Sequence, residues 1–202
     1  MTQSGTKLRP TRGSGPLESF LAKKRAAIAN SLIPDTLRTG RILDIGCGQT
    51  PWFLITTEFR EKVGLEKRPA YAHAEAAVET VVFDVDHAPN LPFKSSSFDV
   101  VTMLAVVEHL EPLNLRRLVD EIHRTLKPGG KLIITTPPRW TDPILAALAK
   151  LGLVSSEEID EHKETHTHSS LARLFEETLF GSAGLRLGYF ELFMNMWAVA
   201  DR

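Results

Sequence analysis

The chain has 202 residues, of which 43% are hydrophobic and 24% charged, so it is long enough for one globular domain with a sizeable core. Its formal net charge of −1 gives no overall attraction to nucleic acid or to an anionic membrane. Cys47 is the single cysteine, which excludes an intrachain disulfide or a multi-cysteine zinc site and favours a reducing, cytoplasmic location.

The sequence shows no membrane-spanning or secretory pattern. No apolar run approaches the roughly 18 residues of a membrane helix, and the polar start lacks the apolar segment of a signal peptide. Residues 1–16 are rich in Ser, Thr, Gly, Arg and Pro, which predicts a flexible tail. We therefore expect a single domain over residues 17–202.

Amphipathic stretches alternate with apolar runs along most of this domain. The predicted helices are Leu17–Leu32, Thr50–Arg60, Pro69–Ala77, Pro112–Leu126, Thr141–Leu151 and Ser169–Phe180. The predicted strands are Arg41–Ile45, Lys62–Leu65, Thr80–Phe83, Phe98–Leu104, Lys131–Thr136, Leu185–Phe193 and Met196–Ala200. The alternation predicts an α/β fold with a mostly parallel sheet, and the last two strands lie too close for a crossover helix. We expect them to form an antiparallel hairpin, which completes a seven-stranded sheet with helices on both faces.

The stretch RILDIGCGQTPW, residues 41–52, predicts a strand, a tight glycine turn and the start of a helix. Gly46 and Gly48 allow backbone to approach a ligand closely, and the helix start presents free N–H groups. Thr50 is the expected N-cap residue, with Pro51 in the first helical position. Dinucleotides and S-adenosylmethionine are both bound by such a turn, and an ordinary strand-to-helix connection is the alternative.

Three features favour S-adenosylmethionine over a dinucleotide. Pro51 stands where a dinucleotide fingerprint requires a small residue. Asp44 interrupts an apolar strand, and a buried carboxylate needs a hydrogen bond or a cation, which this cofactor carries. The terminal hairpin is foreign to the standard dinucleotide fold. Glu66, placed 20 residues after Gly46 to accept hydrogen bonds from a ribose, suits both cofactors.

Between residues 41 and 137 the chain resembles the class I S-adenosylmethionine-dependent methyltransferases, in particular the quinone-biosynthesis subgroup. The similarity rests on four segments in the family's order: ILDIGCGQTPW, VGLEKRP, FDVDHAPNLPFKSSSFDVVTMLAVVEHL and LKPGGKLIITTP. The resemblance implies a Rossmann-like fold with S-adenosyl-L-methionine as cofactor and S-adenosyl-L-homocysteine as product. One departure is Thr50, where the family usually has a third glycine.

The resemblance also implies a role for each matching residue. The ribose hydroxyls would bind Glu66. Asp44, Gly46, Cys47 and Gly48 would hold the methionyl end. The adenine would bind Asp84 and Val85, and Leu104 and Ala105 would line the methionyl side. Glu108 and His109 match the subgroup's acidic-histidine pair and would lie near the transfer site.

A hydroxyl acceptor would benefit from a general base, for which His109, His162, His166 and His168 are candidates. Structural or solvated histidines are the alternative, and we predict no metal site because no glycine or cysteine framework fixes the histidine-rich loop. Helix Leu17–Leu32, residues 138–167 and the hairpin are expected to form the acceptor pocket.

We expect a small-molecule acceptor, no nucleic-acid partner, and a monomer or homodimer. The polar stretch Ser155–His168 and the N-terminal tail are predicted to close over the acceptor pocket as a lid. A cofactor-binding regulatory protein that has lost transfer, or a nicotinamide-dependent dehydrogenase, are the alternative functions.

Overall fold

The computed structural model describes residues 17–69, 77–88, 90–154, 163 and 165–202. The predicted tail, the central part of the predicted helix Pro69–Ala77, His162 and most of the predicted lid lie outside these residues.

Within the described ranges, seven strands and five helices follow one another in the predicted order. The strands are β1 (Arg41–Ile45), β2 (Glu61–Glu66), β3 (Val78–Val82), β4 (Phe98–Leu104), β5 (Leu126–Thr136), β6 (Arg186–Phe190) and β7 (Asn195–Asp201). The helices are α1 (Glu18–Leu32), α2 (Trp52–Thr56), α3 (Pro112–Thr125), α4 (Asp142–Lys150) and α5 (His168–Glu176). Short 3₁₀ turns occupy Asp35–Leu37, Val107–His109 and Arg139–Thr141.

The strands form one sheet in the order β3-β2-β1-β4-β5-β7-β6. Neighbours among β1 to β5 are parallel, whereas β7 runs antiparallel to both β5 and β6. The predicted mixed sheet with a terminal antiparallel hairpin is confirmed. Because β7 is reversed, its first residues lie at the same edge as the carboxyl ends of β1 to β5, where open α/β sheets bind ligands. We call this side the carboxyl edge.

Helices cover both faces of the sheet, as predicted, because strand side chains alternate between two hydrophobic cores. Ile42 packs in one core with Ala26 and Ala29 of α1. Leu43 belongs to the other core, with Leu118 of α3. Among the described residues, no helix is both long and apolar enough to cross a bilayer.

Both ends of helix α2 differ from the predictions. Helix α2 begins at Trp52 after Pro51, which has φ −73° and ψ 63°, and no side chain caps it, so the predicted N-cap at Thr50 is wrong. The helix also ends at Thr56 rather than Arg60, because Thr57 is extended and the Thr56 hydroxyl donates back to the carbonyl of Trp52. β-branched residues favour such an early end.

Strand β5 begins five residues before the predicted start at Lys131. Leu126 pairs with Phe98, and the register then shifts so that Lys131 pairs with Val100. The intervening Pro-Gly-Gly segment bulges, with Gly129 at φ +80°, the left-handed conformation that glycine adopts at the third position of a type II turn. The pairing of Leu126 also ends helix α3 at Thr125.

Candidate active site

The glycine turn after β1 has left-handed backbone at both glycines. Gly46 has φ +72° and Gly48 has φ +73°. The backbone N–H groups of Gly46 and Cys47 donate to the Leu65 carbonyl, at 2.8 and 3.3 Å, which ties the turn to the end of β2. A Cβ atom at Gly46 would lie 2.5 Å from Cγ2 of Val106. The turn therefore requires glycine at position 46 for both conformation and space.

Cys47 lies between the two glycines but directs its thiol into the core. Its Sγ would be 2.6 Å from a Cβ at Gly64, and it packs beside Leu54. Burial raises the pKa of the thiol, and the charges of Asp44 and Glu66 raise it further, so the thiol stays neutral. The predicted role of Cys47 in binding is thus confined to its backbone.

Asp44 is a buried carboxyl group within β1, with 3% exposure. The hydroxyl of Thr102 on the adjacent strand β4 donates to its Oδ1 at 2.6 Å. Burial raises the pKa of Asp44 from 3.8 to about 7, the Thr102 hydrogen bond opposes this rise, and the Glu66 charge adds to it. Asp44 is therefore close to its titration point at neutral pH, and a nearby cation would favour its ionised form.

Glu66 ends β2 as a second buried carboxyl group, with 4% exposure. Its Oε2 accepts a hydrogen bond from the backbone N–H of Gly48 at 3.0 Å. The carboxylate thereby fixes the glycine turn from the neighbouring strand. The Glu66 carbonyl also accepts from the N–H of Phe83, so the ends of β1, β2 and β3 are joined.

Asp84 and Val85 follow β3 at the carboxyl edge. Asp84 Oδ1 accepts from the backbone N–H of Asp86 at 3.0 Å, and Oδ2 lies 3.0 Å from Nδ1 of His87. The side chain of Asp84 is 44% exposed, so it is accessible to a ligand. Val85 packs partly against the core.

Leu104 and Ala105 mark the end of β4. Ala105 has φ +56°, which is uncommon for a residue other than glycine, and its N–H donates to the Thr135 carbonyl at 2.9 Å. Such sparsely populated backbone is typical of ligand sites. The structure therefore brings the implied cofactor residues on β1, β2, β3 and β4 to one edge of the sheet.

The acidic-histidine pair lies in the turn directly after β4. Glu108 is buried with 2% exposure, and the Thr136 hydroxyl donates to its Oε2 at 3.0 Å. His109 is half-buried beside it. His166 is also buried, with Nε2 3.5 Å from the Val107 carbonyl, and its backbone forms a bridge to Pro138.

The histidines thus fall into different settings. His109 and His166 both adjoin the loop after β4, whereas His162 lies outside the described residues. His168 stacks on Tyr189 with a 4.0 Å centroid distance and lies at α5. Within the described ranges, no group of three or more His, Cys, Asp or Glu side chains is arranged to hold a metal ion.

Sequence reasoning missed the hydroxyl donors Thr102 and Thr136. Both are buried polar residues inside apolar strands, and that was the available signal. It also missed Asp86 and Lys163, which form an ion pair at 2.6 Å across the carboxyl edge. No local pattern marks that pair.

Residues 17–180 match the family model described as a methyltransferase domain. A probable S-adenosylmethionine-dependent methyltransferase of Mycolicibacterium smegmatis is 34% identical over 102 residues, which cover 50% of this chain and 39% of that protein. The tRNA N(3)-methylcytidine methyltransferase of Drosophila melanogaster is 30% identical over 118 residues, covering 55% of this chain and 34% of its own length. The mitochondrial 2-methoxy-6-polyprenyl-1,4-benzoquinol methylase of Rattus norvegicus is 33% identical over 90 residues, which cover 45% of this chain and 26% of that protein.

The chain therefore spans less than half the length of each of these three relatives. Among solved structures, a methyltransferase of Thermotoga maritima superposes with a TM-score of 0.62 at 20% identity, over 88% of this chain and 86% of that one. A methyltransferase of Archaeoglobus fulgidus superposes with a TM-score of 0.63 at 17% identity, over 91% of this chain and 93% of that one. At these identities the structural likeness concerns the fold alone.

The space at Gly46 leads to a first prediction. In Gly46→Val, the β-branched side chain would meet Val106 and resist the left-handed backbone, so we expect loss of measurable S-adenosylhomocysteine binding by isothermal titration. Gly129→Val is the control, because Gly129 is also left-handed at φ +80° but has no neighbour within 4 Å of a Cβ. Tight binding by a folded Gly46→Val variant would place the ligand elsewhere.

Proposed function

Because the chain belongs to the methyltransferase-domain family in its class I form, we propose that it binds S-adenosylmethionine at the Gly46–Gly48 turn and transfers the methyl group to a small-molecule acceptor. One observation carries the proposal. Two buried carboxyl groups, Asp44 and Glu66, flank a left-handed glycine turn at the carboxyl edge of the sheet.

The residues present fit this cofactor. Val106 covers the Cβ side of Gly46, whereas a Cβ at Gly48 would have only the Thr50 carbonyl oxygen within 4 Å, at 3.8 Å, so the backbone at Gly48 is open to close approach of the methionyl group. Asp44 would face the cofactor's positive charges, and Glu66 has a second carboxylate oxygen besides the one that accepts from Gly48. Asp84 is half-exposed and would accept from the adenine amino group, with Val85 beside it and Leu104 and Ala105 lining the methionyl side.

When bound, S-adenosylmethionine supplies a methyl group on an activated sulfonium. The chain mainly has to orient the two partners and exclude water. Asp44 favours the cationic ligand electrostatically, and the Thr102 hydroxyl holds its carboxyl group in place. His109 is the proposed base for a protic acceptor, and buried Glu108 fixes the turn that carries it. His166 is a weaker candidate, because its ring is already buried against the Val107 carbonyl.

A small-molecule acceptor is supported by the absence of a basic, aromatic-interleaved stretch in the sequence and by a net charge of −1. The rat relative is named for a benzoquinol acceptor, whereas the fly relative is named for a cytidine of tRNA. Relatives of similar identity thus act on different acceptors, since acceptor choice is made by loops and caps. Membership of this chain in the quinone-biosynthesis subgroup therefore stays a prediction.

The proposal is tested in two steps. Isothermal titration with S-adenosylhomocysteine and with NADH identifies the cofactor, and binding of NADH alone would contradict the assignment. Incubation with methyl-labelled S-adenosylmethionine and a small-molecule extract then tests transfer. Cofactor binding with no labelled product from any extract would favour the alternative of a non-catalytic regulatory protein.

The strand-end carboxylates should contribute separately to affinity. Glu66→Ala and Asp84→Ala should each weaken S-adenosylhomocysteine binding by about 1–3 kcal/mol, the scale of a hydrogen bond to a charged group. Glu66→Gln should lose less, because its amide oxygen can still accept from the Gly48 N–H. Glu79→Ala is the matched control, since Glu79 on β3 is 61% exposed. Unchanged affinity in both alanine variants would remove these residues from the site.

Asp44 should make both stability and binding depend on pH. Its raised pKa means that the ligand-free protein loses stability as pH rises from about 4 to about 7, because ionising the buried carboxyl group is unfavourable. S-adenosylhomocysteine keeps the ammonium group of the cofactor although it lacks the sulfonium, and an ammonium group near Asp44 would favour the ionised carboxylate. Its affinity should therefore rise through about pH 7.

Asp44→Asn is the matched variant for both effects. It should flatten the thermal stability profile relative to wild type and abolish the rise in affinity. Thr102→Val should shift the affinity midpoint to higher pH, because it removes the hydrogen bond that favours the carboxylate. Parallel pH profiles for wild type and Asp44→Asn would show that Asp44 is not the titrating group.

A further inference from the structure

Lys163 connects two loops at the carboxyl edge that are distant in sequence. Its Nζ lies 2.6 Å from Oδ2 of Asp86, in the loop after β3, and 3.5 Å from Oε1 of Glu111, which follows β4. Its backbone N–H donates to the Glu108 carbonyl at 2.8 Å. One residue therefore holds together the segments that follow β3 and β4.

Asp86 links Lys163 directly to the proposed adenine contact. The backbone N–H of Asp86 donates to Oδ1 of Asp84 at 3.0 Å. Asn114 Nδ2 donates to Oδ1 of Asp86 at 2.9 Å and to its carbonyl at 3.1 Å, so α3 fixes the loop from the other side. A movement of Asp86 would thus disturb the acceptor atoms that Asp84 offers.

Both members of the ion pair are charged at neutral pH. Partial burial raises the pKa of Asp86, but hydrogen bonds from Lys163 and Asn114 outweigh burial and bring the pKa below its ordinary value of 3.8. The hydrogen bond to Asp86 in turn raises the pKa of Lys163. The Asp86 side chain is only 18% exposed, which reduces screening by solvent.

The other side of Lys163 leads to the wall of the expected acceptor pocket. Three residues later, the His166 carbonyl accepts from the N–H of Arg139 at 2.8 Å, and its backbone bridges to Pro138. Pro138 and Arg139 follow β5 and begin the segment that contains α4. We call the segment that begins at Pro138 the acceptor-side wall. Lys163 therefore lies between this wall and the loop after β3 that carries Asp84, the proposed adenine contact.

We propose that Lys163 is a positioning residue whose ion pair with Asp86 ties the acceptor-side wall to the loop that carries Asp84 and Val85. The pair holds that loop in its cofactor-binding conformation, and cofactor binding in turn stabilises the wall, because such coupling is reciprocal. This inference rests on the proposed function, since it assigns Asp84 and Val85 to the cofactor.

A second ion pair of nearly identical geometry provides the control. Lys127 Nζ lies 2.7 Å from Asp99 Oδ2, with side-chain exposures of 41% and 18%, against 37% and 18% for Lys163 and Asp86. Asp99 also accepts from the backbone N–H of Arg41 at the start of β1, so this pair lies at the opposite edge of the sheet. Removing it reproduces the loss of a lysine–aspartate pair without touching the loops.

The test compares Lys163→Met, Lys163→Arg and Lys127→Met in the full chain. Isothermal titration with S-adenosylhomocysteine should show affinity about three- to tenfold weaker in Lys163→Met. It should show near wild-type affinity in Lys163→Arg and unchanged affinity in Lys127→Met. Added KCl should weaken binding in the wild type more than in Lys163→Met, because salt screens the ion pair.

Hydrogen exchange supplies a readout that needs no ligand. The backbone amides of residues 83–88 should exchange faster in Lys163→Met than in wild type, and at the wild-type rate in Lys127→Met. Equal exchange and equal affinity in Lys163→Met and wild type would overturn the proposal. Equal losses of affinity in Lys163→Met and Lys127→Met would also overturn it, since they would reflect general stability. Failure of the wild type to bind S-adenosylhomocysteine would instead overturn the proposed function.

Discussion

The burial of carboxyl groups at one edge of the sheet is the constraint on which the site depends. Asp44, Glu66 and Glu108 are each less than 5% exposed. Burying an ionised carboxylate is costly unless it is hydrogen-bonded or paired. Each of the three is met by one donor from a neighbouring segment: the Thr102 hydroxyl, the Gly48 N–H and the Thr136 hydroxyl. Each bond joins a strand, or the turn that follows a strand, to its neighbour in the sheet, so the same contacts that offset the burial also align the strand ends.

The backbone at this edge adopts an uncommon conformation at several positions. Gly46 and Gly48 are left-handed, and Ala105 adopts that conformation without being glycine. The hydrogen bonds from Gly46 to Leu65 and from Ala105 to Thr135 hold these residues against the adjacent strands. A parallel sheet supplies such anchors because the ends of consecutive strands meet at one edge. Among these three residues only Ala105 carries a steric cost for the left-handed conformation, because glycine adopts it freely.

In the proposed function, cofactor and acceptor recognition fall to different parts of the chain. The strand ends from β1 to β4 hold the proposed cofactor residues, whereas the segment after β5 and the hairpin are the proposed walls of the acceptor pocket. Relatives of comparable identity are named for a tRNA cytidine and for a benzoquinol, which fits a constant cofactor half and a variable acceptor half. The Lys163–Asp86 ion pair is one of the described contacts between these two parts of the chain.

The sequence by itself determined the alternation of strands and helices, the terminal hairpin, the glycine turn and the presence of Asp44 within an apolar strand. These follow from periodicity and from residues whose conformational demands are local. Only the tertiary structure decided that Thr102, 58 residues from Asp44, donates to it, and that Lys163 pairs with Asp86 across 77 residues. It also decided that His166 is buried and that α2 ends at Thr56. Periodicity states which face a side chain occupies, but partners across strands depend on register and crossovers, which are set by the packing of the whole sheet.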